Sequence, residues 1–167
     1  NDDRFPFLNK VLAGAYTPGS IVKPFVAYAA LVEGIISSHK TIVSTGELVI
    51  PNPYNPGNPS VFRDWRAHGK WNMKEAIAYS SNVYFYTIGG GYGDQEGLGI
   101  SKMYQYFSRF GFGTTTGINL ANEQTGTVPN PAWKKELFDD DWRLGDTYFT
   151  AIGQYGWQVT PLQMLVA

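Results

Sequence analysis

Gly14-Ala15-Tyr16-Thr17-Pro18-Gly19-Ser20-Ile21-Val22-Lys23-Pro24-Phe25-Val26-Ala27-Tyr28-Ala29-Ala30-Leu31-Val32-Glu33 is the stretch on which the reading of this chain turns. Pro18-Gly19 is a turn signal, and the run from Pro24 to Glu33 is apolar at nearly every position. Such a run predicts a helix buried on all sides rather than an amphipathic surface helix, with Gly34 as its stop. Ser20 and Lys23 stand three apart at its head, so their side chains share one face. A serine hydroxyl is a poor nucleophile until a neighbouring base takes its proton. Lysine can be that base when burial and the positive end of a helix depress its pKa. The same end offers backbone N–H groups to a developing oxyanion. Pro24 has no N–H, so the Ser20 carbonyl loses its usual α-helical partner. The pair reads equally as a helix cap beside a lysine whose head reaches water. Spacing does not choose between these readings, because Ser37-Ser38-His39-Lys40 repeats it in a polar stretch behind the helix.

Outward from this stretch, residues 44–60 carry Pro51, Pro53, Pro56 and Pro59 among Asn and Gly, and are expected to form an extended surface loop. Asn72-Met73-Lys74-Glu75 has the form of a capping box and opens a brief helix running into Ser80-Ser81-Asn82. A second helical stretch, 83–88, stops at Gly89-Gly90-Gly91. Ile100 to Phe110 has helical spacing, with Met103, Phe107 and Phe110 on one face. Residues 114–146 read as irregular. Thr160-Pro161-Leu162-Gln163 then supplies an N-cap, a first-turn proline and a reciprocal Gln for a last helix.

The bulk properties narrow the classes of function. The chain has 167 residues, 43% of them hydrophobic and 16% charged, which suits one domain with a real core. A formal net charge of −1 gives no electrostatic reason to expect nucleic acid. There is no cysteine, which excludes disulfides and thiolate metal sites. The longest apolar run, from Pro24 to Ile36, is interrupted by Glu33 and falls short of the ~20 residues that span a bilayer.

Ser80 and Asn82 form a second candidate pair. A hydroxyl can relay a proton, and a carboxamide can hold a substrate amide or a lysine ammonium. Alone, they are also an ordinary Ser/Asn-rich helix terminus. Their order relative to Ser20 and Lys23 is what carries weight. Ser-x-x-Lys on a buried helix, followed tens of residues later by Ser-x-Asn between helices, resembles the active-site pattern of penicillin-recognising acyltransferases. The words around the first motif, Gly14 to Phe25, resemble the nucleophile region of class B penicillin-binding proteins. Phe62-Arg-Asp-Trp-Arg-Ala-His-Gly69, Ser80-Ser-Asn-Val-Tyr-Phe-Tyr86 and Phe110-Gly-Phe-Gly-Thr-Thr-Thr-Gly-Ile-Asn-Leu120 resemble the elongation-type branch, penicillin-binding protein 2. So do Trp142-Arg-Leu-Gly-Asp-Thr147 and Val159-Thr-Pro-Leu-Gln163, and the likeness is ordered along almost the whole chain.

The resemblance implies an α/β (α+β) fold of the transpeptidase and serine β-lactamase type, a five-stranded antiparallel sheet flanked by helices. Residues 1–167 are expected to be a partial transpeptidase domain holding mostly the helical part. The non-catalytic N-terminal region and the strand with Lys-Thr-Gly would lie outside it, because Lys40-Thr41 is followed here by Ile42. The implied activity is serine-type D,D-transpeptidation of peptidoglycan in cell elongation and shape, with Ser20 as nucleophile, Lys23 as base, and Ser80 and Asn82 as relay and orienting groups. The implied partners are a stem peptide ending in D-Ala-D-Ala, β-lactam antibiotics and a peptidoglycan glycosyltransferase, with no nucleic acid and no cofactor. The implied location is the outer face of a bacterial cytoplasmic membrane, anchored by an N-terminal segment.

A class D-like β-lactamase is the nearest rival, since Ser81-x-Val83 fits that family's second motif one residue out of step. A β-lactam sensor or a non-catalytic scaffold of the same fold is the rival outside enzymes. Where the family commonly reads Gly-Gln-Gly, this chain has Gly153-Gln154-Tyr155-Gly156, with no catalytic role expected. Asp64 and His68 stand one turn apart, near where some elongation-type relatives hold zinc with the help of a cysteine. Zinc wants three or four ligands and this chain offers no cysteine, so the pair is expected to be structural, with no metal. The glycines from Gly89 to Gly93 lack the Lys-Ser/Thr of a phosphate loop and read as a turn. The five tryptophans are too scattered for a ligand box and are expected in core or rim.

Overall fold

The computed structural model describes residues 8–167. After α1 (Lys10–Ala13) the chain makes a 3-10 turn at Gly19–Val22 and enters α2 (Lys23–Val32). Four short strands follow: β1 (Ile42–Ser44), β2 (Glu47–Ile50), β3 (Ser60–Arg63) and β4 (Gly69–Trp71). The rest is helical, comprising α3 (Met73–Ala78), α4 (Asn82–Gly90), α5 (Gly99–Arg109), α6 (Pro131–Phe138), α7 (Leu144–Ala151) and α8 (Pro161–Val166).

The 3-10 turn is a consequence of Pro24. With no N–H there, the Ser20 carbonyl accepts instead from the Lys23 N–H, one residue earlier than an α-helix would arrange. The capping boxes form as the sequence predicts. Asn72 accepts from the Glu75 N–H while Glu75 accepts from the Asn72 N–H, at 3.1 and 2.9 Å. Thr160 and Gln163 do the same at 3.1 and 3.0 Å. Gln163 also pins the irregular segment after α5, its amide donating to the carbonyls of Thr114 and Thr125, both at 2.6 Å.

Three expectations need correction. Residues 44–60 are not a single loop. They contain β2 and the start of β3, which pair antiparallel with Glu47 opposite Arg63 and Ile50 opposite Ser60. β1 pairs with β4, Ile42 opposite Trp71. Strands of three or four residues are too short to show alternation, and the prolines occupy only the connection between β2 and β3. Residues 114–146 are not wholly irregular, since α6 and the start of α7 fall within them.

The third correction concerns α2, which is not buried on all sides. Pro24, Tyr28, Leu31 and Val32 form an exposed stripe, while Lys23, Val26, Ala27, Ala29 and Ala30 face inward. The surrounded helix is α4, buried at every residue from Val83 to Gly89. It packs against α7, α2 and α5, and it is the pillar of the domain. Gly89 and Gly90 make the α7 contact possible: a Cβ on the first would overlap Ala151, and on the second the Tyr148 ring. Around the far end of α5, Trp157 is fully buried, 4.7 Å from the Phe107 ring centre. Helices therefore dominate, and the only sheets among the described residues are two two-stranded ladders.

Candidate active site

Lys23, on the first turn of α2, is 1% exposed, so its ammonium must find acceptors inside the protein. It finds three. Lys23 Nζ donates to Ser80 O at 2.8 Å, to Ser80 Oγ at 3.0 Å and to Asn82 Oδ1 at 2.8 Å. An ammonium has three N–H groups, so its donors are matched one for one. Burial is the main force on its pKa, lowering it from 10.5 to about 8, and the nearby Asp64 charge pulls the other way. Ser20 lies one helical turn away, exposed, in the 3-10 turn whose carbonyl holds Lys23 N–H.

Ser80 owes both contacts to its backbone. It ends α3, donating its N–H to Ile77 O, and takes φ of 55°, a left-handed conformation rare outside glycine. That conformation costs on the order of 1 kcal/mol and turns carbonyl and hydroxyl together toward Lys23. Asn82 opens α4. Its Oδ1 faces Lys23, while its Nδ2 has only a long contact, 3.5 Å, with Arg63 O. That amide edge is available to a substrate carbonyl.

Ser81, between them, points elsewhere. It is 1% exposed, accepts from Tyr84 N–H as the N-cap of α4, and donates to Asp64 Oδ2 at 2.8 Å. Ser81-x-Val83 is thus committed to a cap. The second Ser-x-x-Lys pair is not assembled either. Lys40 is exposed, and the Ser37 hydroxyl accepts from the Lys40 backbone N–H in a local turn.

Asp64 does more than pair with a histidine. Its Oδ2 accepts from Ser81 Oγ and from Val83 N–H at 2.9 Å, and its Oδ1 accepts from Trp65 N–H at 2.9 Å. Burial would raise its pKa, but these bonds, with a further one from Asn82 N–H, outweigh it and hold the carboxyl below its usual range. A carboxylate at the start of α4 also meets the positive end of that helix. His68 Nε2 lies 3.3 Å from Asp64 Oδ1, too poorly aligned for a hydrogen bond, and Nδ1 accepts from Arg66 Nε at 3.5 Å. Among the described residues, no group of three or more His, Cys, Asp and Glu gathers around them.

One contributor was not read as part of the site. Gly153 O accepts from Gly19 N–H at 2.9 Å, bracing the turn that carries Ser20. Gly153 has φ of 73°, and a Cβ there would collide with the Gly19 backbone. The signal was the glycine of Gly153-Gln154-Tyr155-Gly156, whose value lies in close backbone approach rather than chemistry.

The chain as a whole is similar to proteins already known. Residues 1–167 match the family described as penicillin binding protein transpeptidase domain. The chain is 35% identical over 166 residues to the peptidoglycan D,D-transpeptidase MrdA of Escherichia coli, covering 98% of this chain and 24% of that protein. It superposes on a penicillin-binding protein (PBP2) solved in complex with MreC from Helicobacter pylori, with a TM-score of 0.84 and 37% identity, over 98% of this chain and 29% of that one. A chain of a peptidoglycan synthase complex, solved to show how polymerization and crosslinking are coordinated, matches at TM-score 0.77 and 32% identity, over 99% of this chain and 27% of that one. The chain thus spans about a quarter of the length of the curated relative it matches.

Proposed function

This chain belongs to the family of penicillin-binding protein transpeptidase domains, and from that premise we propose that it carries the acylating centre of a peptidoglycan D,D-transpeptidase of the elongation type. The observation that carries the reading is the Lys23 ammonium, buried with a pKa near 8 and ringed by Ser80 O, Ser80 Oγ and Asn82 Oδ1. Burial, three acceptors brought from 57 and 59 residues away and a lowered pKa together mark Lys23 as a candidate functional group.

In the proposed reaction, neutral Lys23 takes the Ser20 hydroxyl proton as Ser20 Oγ attacks the carbonyl carbon of the penultimate D-Ala. The C–N bond then breaks. The departing amine of the terminal D-Ala receives a proton from Ser80 Oγ, which is replenished from Lys23 Nζ. Ser80 suits this relay because, of the three acceptors around Lys23, only its hydroxyl can also donate. An amine from a neighbouring stem peptide attacks the Ser20 ester, passes its proton back through the same groups, and leaves a cross-link and free Ser20. Asn82 Oδ1 steadies Lys23 while Nδ2 holds the substrate amide. The Ser20 N–H supplies one donor to the oxyanion.

The wider setting belongs to the same proposal. The protein works at the outer face of the cytoplasmic membrane, held by a segment outside this chain, and the Lys-Thr-Gly strand completes the cleft from outside it. Among the described residues no helix is long and apolar enough to cross a membrane. The Helicobacter complex with MreC and the synthase complex support partners in the elongation machinery, a glycosyltransferase among them.

The test is labelling of the full-length protein with a fluorescent penicillin. The wild type is expected to form a persistent adduct, and Ser20→Ala none. Labelled Ser20→Ala sinks the assignment of the nucleophile. Rapid steady-state hydrolysis of penicillin in place of a persistent adduct replaces the transpeptidase with a β-lactamase.

A further inference from the structure

Beside the Ser20–Lys23–Ser80–Asn82 cluster the structure builds a cation on an aromatic floor. The Arg66 guanidinium lies 4.5 Å from the Trp65 ring centre, 5.7 Å from that of Tyr79 and 5.9 Å from that of Trp71. The rings brace one another, with Trp71 4.5 Å from Tyr79 and His68 4.4 Å from Trp71. Trp65 Nε1 donates to Tyr79 O at 3.3 Å. Despite this order, Trp65 is 59% and Tyr79 52% exposed, so two large rings and a charge are held open to water.

The platform borders the site by construction. Asn82 Nδ2 meets Arg63 O, and Asp64 Oδ2 accepts from Ser81 Oγ and Val83 N–H, so residues 63–66 run alongside 79–83. Tyr79 is the residue immediately before Ser80. Among the described residues Arg66 forms no ion pair. Asp64, two residues away, already has its oxygens taken by Ser81, Val83 and Trp65. Arg66 Nε makes a long contact with His68 Nδ1, 3.5 Å, and the Nη donors are left for another group. A planar fork of N–H groups matches a carboxylate, and the ring faces suit the aliphatic chain that bears it.

We propose that Arg66, laid across Trp65, Trp71 and Tyr79, is a subsite for a free side-chain carboxylate of the peptide substrate, upstream of the scissile amide held by Ser80 and Asn82. This rests on the function proposed above and adds a selectivity to it: peptides bearing a free side-chain acid are preferred over their side-chain amides. Arg66 is a binding residue here and takes no part in proton transfer.

The experiment uses full-length protein carrying Ser20→Ala, so that binding is read without acylation. The probes are two synthetic peptides ending in D-Ala-D-Ala, identical except that one carries a free side-chain carboxylate and the other its amide. The Ser20→Ala protein is expected to bind the acid about tenfold more tightly than the amide, the scale of one charge-assisted hydrogen bond at a partly exposed site. Adding Arg66→Gln abolishes that preference. Arg66→Lys, which keeps the charge and loses the fork, retains part of it. Equal affinity for the two peptides before Arg66 is changed, or a preference that survives Arg66→Gln, overturns the proposal. Penicillin labelling of wild-type protein separately reports on the reading of Ser20, so the failure of one is not mistaken for the failure of the other.

Discussion

Ser20-Ile-Val-Lys23 and Ser37-Ser-His-Lys40 have the same spacing within one 167-residue chain, and their surroundings part them completely. Lys23 is sealed from water, and all its donors go to residues 57 and 59 positions away. Lys40 is exposed, and only its backbone N–H reaches Ser37, donating to Ser37 O at 3.1 Å and to Ser37 Oγ at 3.3 Å in a local turn. The first pair heads a helix packed against the central α4; the second trails it. Spacing sets which side chains share a face. Burial and long-range acceptors decide whether the lysine near the serine is a base or a solvated charge.

The sharpest way to break this contrast is to delete each lysine. Lys23→Met in the full-length protein is expected to slow penicillin acylation by about three orders of magnitude, the reach of a lost general base. Lys40→Met should leave the rate unchanged. If both variants acylate alike, the cage around Lys23 has no catalytic meaning. A smaller effect follows from Asn82→Ala, which removes one acceptor of Lys23 and the proposed anchor of the substrate amide. Acylation is expected to fall by about a hundredfold, in keeping with loss of a group that stabilises the reacting centre.

The contrast can also be sharpened through pH. The base form of Lys23 is neutral, so acylation is expected to rise with pH and level off above about 8. Asp64 raises the Lys23 pKa by its charge, so removing that charge lowers it further. The inflection of the rate profile for Asp64→Asn should therefore move to lower pH, and a shift upward contradicts the electrostatic account. The smallest effect belongs to Ser37→Ala. Its lost turn contact is on the surface, so thermal unfolding should report a change within about 0.5 kcal/mol, with acylation untouched.

Much of the site was legible in the chain, and the reasons are local. Pro18-Gly19 before an apolar run marks the head of α2, while Asn72/Glu75 and Thr160/Gln163 carry their caps in their own side chains. What failed to show depends on distant neighbours. The α2 run is the more obviously apolar of the two site helices, yet α4, with Tyr84, Tyr86 and Thr87 along it, is the one surrounded. Helix α6 did announce itself, with Asn130 as N-cap and Pro131 in the first turn, but among so many loop-forming residues the signal was easily overridden. Helix α7 offers little local signal, since Gly145, Thr147 and Thr150 are poor helix formers and tertiary packing against α4 holds it. The left-handed Ser80 was also invisible, because serine carries no mark of the backbone it will be forced to adopt.

The contact between Gly19 and Gly153 has an implication for descent as well as for chemistry. Any side chain at position 153 pushes into the peptide unit next to Ser20, and the left-handed backbone there disfavours every residue but glycine. Under the function proposed above, a lineage selected to escape an acylating drug therefore gains nothing by varying this position, since what repels the inhibitor there also displaces Ser20. Under that function, variation belongs in the rim instead, at an exposed residue such as Tyr79, where a side chain can change while the turn beneath Ser20 stays as it is.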